Sequence, residues 1–75
     1  MNEVNETLRC IRNDIEFHKL ALNDLDGLRE FVKDLDIPKN HRSLMLECID
    51  FKKDFHNHKI TELKDAHKEL IFKYK

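Results

Sequence analysis

Histidine and aspartate side chains recur at a spacing that could bind a metal ion. The chain has five histidines, and the pairs Asp14/His18 and Asp54/His58 are each separated by four residues. Residues four apart share one face of a helix, so each aspartate could bind a metal with its histidine or orient the imidazole. If the chain folds back near its middle, His18 also comes near His56 and His58. A zinc site needs three or four such ligands at about 2.0–2.2 Å.

A structural role for His18 fits the pattern better than a metal site. The Glu-x-x-His motifs of di-iron helix bundles are absent from the sequence. We expect His18 to be a polar residue that fixes the register of a helix–helix contact, with the other histidines in solvent. We therefore expect no metal and no cofactor, and a fold that loses stability when His18 is protonated below about pH 6.5.

Nucleophilic side chains are few and poorly placed for catalysis. Apart from Thr7 near the N-terminus, the only serine and threonine are Ser43 and Thr61, and neither lies on the strand-to-helix turn that exposes a nucleophile. Cys10 and Cys48 fall on apolar stripes, and an antiparallel hairpin keeps them too far apart to pair. We expect buried thiols, a reducing compartment (the cytoplasm) and no enzymatic activity.

The first part of the chain has the clearest helical periodicity. Its apolar positions alternate at spacings of four and three residues, the heptad pattern of a helix that packs against another helix. They are Val4, Leu8, Ile11, Ile15, His18, Leu22 and Leu25. A second stripe, about 100° around the helix, consists of Cys10, Phe17, Ala21, Leu28 and Leu35. One neighbour cannot cover both stripes, so we expect this helix to touch at least two.

Pro38 interrupts the helical pattern near the middle of the chain. Proline removes a backbone donor and disfavours the helical conformation in the residue before it. We predict an all-α protein with one domain, 1–75, folded as a long antiparallel hairpin. Its first helix covers about 2–36, its turn about 36–40 and its second helix about 38–74.

Gly27 offers an alternative to the hairpin. Glycine costs about 1 kcal/mol in a helix interior, and the aspartates beside it prefer helix ends. After Gly27 the apolar positions shift to Leu28, Phe31, Val32 and Leu35. A break there would give a chain of three helices.

The second helix carries two apolar stripes. The first consists of Leu44, Cys48, Phe51 and Phe55, and it continues after a gap with Leu63, Ala66, Leu70 and Tyr74. A flanking stripe consists of Met45, Ile49, Ile60 and Ile71. As in the first helix, the apolar arc is too broad for one neighbour to cover.

Such broad arcs predict that another copy or another protein covers the hairpin. Two hairpins can form a four-helix bundle, so we expect a homodimer that acts through protein–protein contact as an adaptor, inhibitor or regulator. The expected core and interface residues are Leu8, Ile11, Ile15, Phe17, His18, Leu22, Leu28, Phe31, Leu44, Cys48, Phe51, Phe55, Leu63 and Leu70. Residues 1–36 hold five basic and nine acidic side chains and residues 37–75 nine basic and six acidic ones. The resulting charges of −4 and +3 favour folding back.

Nucleic-acid binding is the competing function. The predicted layout resembles the Rop family of plasmid RNA-binding proteins, which are dimers of helical hairpins. That resemblance concerns the architecture alone, so no residue of this chain takes a role from the family. It implies RNA as an alternative partner. The lysines of the second helix lie on many sides of it among acidic residues, so we favour protein contact. No apolar run approaches the roughly 20 residues that span a bilayer, so we expect no membrane partner.

Overall fold

The chain folds into two long helices in the computed structural model, which describes residues 2–74. Helix α1 spans Asn2–Lys33 and helix α2 spans Lys39–Tyr74. They pack antiparallel along their length as a hairpin whose Cα atoms extend 56 × 14 × 12 Å. The predicted all-α helical hairpin is confirmed.

The predicted heptad stripe of α1 is the one that faces α2. Ile15 is buried and the remaining members from Val4 to Leu25 are half-buried; the buried Val32, seven residues beyond Leu25, extends the stripe further than predicted. Alternating steps of three and four residues keep these side chains on one side of the helix, where they meet a single partner. We call this contact between the two helices the seam.

The seam of α2 differs from the stripe that its most hydrophobic residues suggested. Leu44, Cys48, Phe51 and Phe55 are exposed, whereas Ile49 from the flanking stripe is buried. The residues that face α1 are Leu46, Ile49, Lys53, His56, Ile60, Leu63, His67 and Leu70. Their spacing is also heptad, but lysine and histidine occupy three of the positions. These amphipathic side chains pack their apolar parts and keep their polar atoms at the edge.

The turn comes slightly earlier than predicted. Helix α1 ends at Lys33, and α2 begins at Lys39, directly after Pro38. The amides of Asp34 and Leu35 continue the last turn of α1 by donating to carbonyls three residues back, each at 3.2 Å. Pro38 therefore sits just before the helix, where its carbonyl accepts the first hydrogen bond of α2 at 3.0 Å.

Arg42 ties the turn to α2. Its Nη2 donates to the carbonyl oxygens of Leu35 at 2.7 Å and Ile37 at 3.3 Å. These carbonyls have no helical partner because the chain has left α1. The guanidinium therefore caps the free carbonyl groups of the turn. Sequence patterns do not predict this contact, because Arg42 and Leu35 are seven residues apart and the chain turns between them.

Replacing Arg42 by alanine should destabilise the hairpin by about 1.5 kcal/mol, since hydrogen bonds from a charged donor contribute about 1.5–3 kcal/mol. Urea unfolding followed by circular dichroism would measure the change. Arg42→Lys retains the charge and one donor and should recover part of the loss. Equal stability of wild type and Arg42→Ala would show that water satisfies these carbonyls equally well.

Helix α1 runs through Gly27 without a break, so the three-helix alternative is wrong. Gly27 has a negative φ and lies within a continuous helix. The seam residues on both sides of it, Leu25 and Val32, pack against α2 and hold the helix together across the glycine. Packing therefore outweighs the weak helix propensity of this segment.

Gly27→Ala should stabilise the protein by about 0.5–1 kcal/mol, because alanine loses less backbone entropy on forming a helix. A Cβ atom at this position would have nothing within 4 Å to meet. Thermal unfolding should show a higher melting temperature. A lower melting temperature would mean that a neighbour closes over Gly27 in the folded protein.

Candidate functional site

Charged side chains link the two helices along one side of the seam. Arg29 Nε donates to Asp50 Oδ1 at 3.0 Å, and Lys53 Nζ lies 2.6 Å from Asp26 Oδ1. The hydrogen bond from Arg29 lowers the pKa of Asp50, and the same contact raises the pKa of Arg29. Both pairs are solvent-accessible and contribute only modestly to stability, but they mark this as the polar side of the hairpin.

The opposite side of the seam carries exposed aromatic and aliphatic side chains. We call it the apolar face and define it as Phe17, Leu28, Leu44, Cys48, Phe51 and Phe55. Phe51 is the most accessible of them, with 75% of its surface exposed. Exposed apolar side chains gathered on one part of a helical hairpin are typical of an interface.

A shallow groove shows that the apolar residues of the two helices lie on the same side. It has a volume of about 350 Å³ and is lined by Leu25, Leu28, Val32, Leu44, Met45, Cys48, Ile49 and Lys52. Leu28 and Val32 come from α1, and Leu44 and Cys48 from α2. The groove therefore joins the two exposed stripes across the seam near the turn.

A pair of histidines lies at the far end of the apolar face from the turn. The Nδ1 atoms of His18 and His56 are 2.7 Å apart, and both rings are half-buried. The ring of His18 meets Phe17 and Phe55 edge-on, at centroid distances of 5.3 and 6.4 Å. The predicted approach of His18 to His56 is confirmed, and His18 does occupy the seam as a polar residue.

The His18–His56 contact requires two different tautomers. One Nδ1 carries the proton and donates it, while the other is bare and accepts. The 2.7 Å separation fits such a hydrogen bond, whereas two nitrogens bound to one zinc ion lie about 3.3 Å apart. The two imidazole rings are therefore joined by one N–H···N hydrogen bond.

The other candidate metal ligands do not join this pair. His58 Nδ1 lies 3.1 Å from the carbonyl oxygen of Asp54 in its own helix, and its side chain is exposed. Asp14 is also exposed on α1. Within residues 2–74, no three histidine, cysteine, aspartate or glutamate side chains converge on one point where a metal could sit.

The expectation of buried thiols was wrong, because Cys10 and Cys48 are both exposed. Both belong to stripes that lie beside the seam rather than in it. Cys48 lines the groove of the apolar face. Burial of this thiol would require a partner on that face.

The remaining predicted residues divide between the seam and the surface. Phe31 is exposed on α1. The half-buried seam residues are Leu8, Ile11, Leu22, Leu63 and Leu70. Sequence reasoning undervalued Ile49 and Ile60, although both lie at heptad spacing from His56, the predicted partner of His18.

The hydroxyl side chains considered for catalysis make only local contacts or lie in solvent. Thr61 Oγ1 donates to the carbonyl of Asn57 at 3.1 Å within α2, and Ser43 is exposed. Over residues 2–74, neither helix has a stretch long and apolar enough to cross a membrane. No protein-family model, curated protein or solved structure matches the chain.

Proposed function

We propose that this protein is a non-enzymatic homodimer that acts by protein–protein contact, as an adaptor, inhibitor or regulator. The observation that supports the proposal is the difference between the two sides of the hairpin. Cross-helix ion pairs link the helices along one side, whereas Leu28, Leu44 and Cys48 line an apolar groove across the seam, and exposed phenylalanines lie near it on α2. A surface of that kind is suited to another helical surface rather than to a small substrate.

The small core of one hairpin also favours a second copy. Among the described residues, only Ile15, Val32, Ile49 and Ile60 are buried apolar side chains. Full burial of one such side chain contributes about 1.5–3 kcal/mol, and chains of this length seldom reach adequate stability from one core alone. Covering the apolar face would add three phenylalanines and two leucines to the buried set.

Two free thiols on the surface suit a reducing compartment, and we propose that the protein works in the cytoplasm. The grooves along the hairpin are open and shallow, whereas catalysis needs a concave site with converging polar groups. Contact between folded surfaces is therefore the mode of action that we propose.

Phe51→Glu should shift the protein from dimer to monomer, because the new carboxylate would have to be buried at the apolar face. Light scattering at micromolar concentrations would measure the mass. Phe72→Glu is the matched control, since Phe72 is 87% exposed and lies outside the face. A monomeric wild type, or a Phe51→Glu variant that dimerises normally, would contradict the proposal.

A Rop-like, RNA-binding role predicts a different result in an RNA-binding assay. Lysines on α2 such as Lys64 and Lys68 alternate with acidic residues such as Asp65 and Glu69, which would repel phosphates. We expect a mixed-sequence RNA stem-loop to bind only weakly in fluorescence anisotropy at 50 mM salt. Tight binding that falls steeply by 200 mM salt would favour the RNA function instead.

A further inference from the structure

The side of α2 that faces away from α1 carries its own pattern of residues. Ile49 and Ile60 are buried against α1, and a helix turns by about 100° per residue, so Phe51 lies on the opposite side of α2. We call this side the outer side and define it by three rows of exposed residues seven apart. The rows are Leu44, Phe51, His58, Asp65 and Phe72; Glu47, Asp54, Thr61 and Lys68; and Cys48, Phe55, Glu62 and Glu69.

The outer side is acidic, although α2 as a whole is basic. Helix α2 contains eight lysine and arginine residues and six aspartate and glutamate residues, which gives it a formal charge of +2. Five of the six acidic residues belong to the outer side, where Lys68 is the only lysine or arginine. One basic and five acidic side chains give the outer side a formal charge of −4.

The basic side chains of α2 lie in the seam or next to it, where they face an acidic helix. Residues 1–36 hold a formal charge of −4. Lys53 Nζ lies 2.6 Å from Asp26 Oδ1 across the seam, and Lys52 lines the groove between the helices. The positive charge of α2 therefore complements α1, and most of its negative charge is left on the surface that α1 does not reach.

Most carboxylates of the outer side have no cationic partner in the hairpin. Glu62 is the exception, since its Oε2 lies 3.6 Å from Lys59 Nζ. The outer-side carboxylates that form no ion pair within residues 2–74 are those of Glu47, Asp54, Asp65 and Glu69. These four charges remain available to a positively charged partner.

Exposed aromatic rings lie among these carboxylates. Phe51 is 75% exposed, Phe55 49% and Phe72 87%. From Leu44 to Phe72 the outer side is about 42 Å long at 1.5 Å per residue. It therefore combines unpaired negative charge with aromatic surface along a length that another helix can follow.

We propose that a basic amphipathic helix of another protein docks along the outer side of α2. This inference rests on the proposed protein–protein contact and names the chemistry of the partner. Apolar residues on one side of such a helix would pack on Phe51 and Phe72, which are three heptads apart, and flanking lysines or arginines would reach the carboxylates. Two copies that met through their outer sides would bring like charges together, so the complement of this surface is basic.

The outer side shares Leu44, Cys48, Phe51 and Phe55 with the apolar face. The partner helix and a second copy therefore compete for the same phenylalanines, and the homodimer is the form that the chain adopts without its partner. Light scattering at a saturating concentration of a partner peptide should give the mass of one hairpin with one peptide. A peptide-bound dimer would overturn this overlap.

A model peptide tests the charge of the partner. The probe is a fluorescein-labelled peptide of about three heptads with leucine at the a and d positions and lysine elsewhere. Its control has glutamate in place of every lysine. Fluorescence anisotropy should show that the lysine peptide binds the wild-type protein at micromolar concentrations and that the glutamate peptide does not. Failure of the lysine peptide to bind, or equal binding of both peptides, would overturn the proposal.

Two sets of variants locate the binding surface. Four neutral substitutions on the outer side should weaken binding of the lysine peptide about tenfold, because each exposed ion pair contributes a modest amount. They are Glu47→Gln, Asp54→Asn, Asp65→Asn and Glu69→Gln. The matched set removes four charges from exposed positions on α1 and should change the affinity by less than about twofold. It consists of Glu3→Gln, Glu6→Gln, Asp14→Asn and Asp24→Asn. An equal loss in both sets would show that the peptide responds to net charge alone and would overturn the proposal.

Phe72→Ala tests the aromatic contribution without altering the apolar face. Phe72 belongs to the outer side but not to the proposed dimer surface, so the mass of the protein should stay unchanged. Loss of this ring should weaken binding of the lysine peptide about fivefold, as truncation of an aromatic contact residue does at interfaces. An unchanged affinity would mean that charge alone holds the peptide, and it would overturn docking along the phenylalanines.

The mass and the peptide affinity separate this surface from the homodimer. A monomeric wild type that binds the lysine peptide through the outer side would overturn the homodimer and support the docking surface. A dimer that does not bind the peptide would overturn the docking surface and leave the homodimer standing.

Discussion

Ile15→Asp should unfold the hairpin or reduce its stability by several kcal/mol. Ile15 is only 9% exposed and lies in the middle of the α1 seam. The substitution removes a buried aliphatic side chain, which costs about 2–5 kcal/mol, and adds the cost of burying a carboxylate without a partner. Circular dichroism at 222 nm, recorded during thermal unfolding, would measure the loss.

Leu20→Asp is the matched control for Ile15→Asp. It introduces the same charge five residues further along α1, at a side chain that is 62% exposed and outside both the seam and the apolar face. It should change stability by about 0.5 kcal/mol or less. If Ile15→Asp melted as the control does, Ile15 would not belong to the packed contact between the helices.

The seam of α1 could be predicted from sequence because its periodic positions are almost all aliphatic. In α2 the same reasoning placed too much weight on Phe51 and Phe55. Three of the true seam positions are Lys53, His56 and His67, and hydropathy alone ranks them below the phenylalanines. Pairing the two heptad series through His18 and His56 would have identified the α2 seam, since the predicted register already brought those residues together.

The turn and the two-sided character of the hairpin depend on contacts that no periodic pattern contains. Pro38 predicts that the chain turns, but the hydrogen bonds from Arg42 to Leu35 and Ile37 join residues that are separated along the chain. Which residues lie on the charged side and which on the apolar side likewise depends on how each helix is rotated about its own axis. That rotation is known only once the two helices are packed together.

His56→Leu should reduce the stability of the protein by about 1–3 kcal/mol, because it leaves the Nδ1 atom of the half-buried His18 ring without its hydrogen-bond partner. The two Nδ1 atoms are 2.7 Å apart, and one of them donates its proton to the other. The aliphatic side chain of leucine can neither donate nor accept in place of the imidazole. The ring of His18 also packs edge-on against Phe17 and Phe55, which offer it no hydrogen bond.

Urea unfolding followed by circular dichroism at pH 7.5 would measure the loss, and two further variants would assign it. His18→Leu/His56→Leu replaces both partners by apolar side chains and should recover most of the stability that His56→Leu loses. His58→Gln removes an exposed histidine outside the seam and should unfold as the wild type does. Equal stability of the wild type and His56→Leu would mean that water satisfies the freed imidazole nitrogen of His18.

The histidine pair also bears on assembly, because it lies where the apolar face ends. Phe17 and Phe55 pack edge-on against His18 and belong to the proposed dimer surface. Loss of the His56 imidazole would let these three rings move and would admit water at the edge of the interface. His56→Leu should therefore weaken the dimer, so that its mass falls at a protein concentration at which the wild type is still a dimer, while its helicity is retained. Simultaneous loss of mass and helicity would show that the hairpin has no stability apart from its second copy.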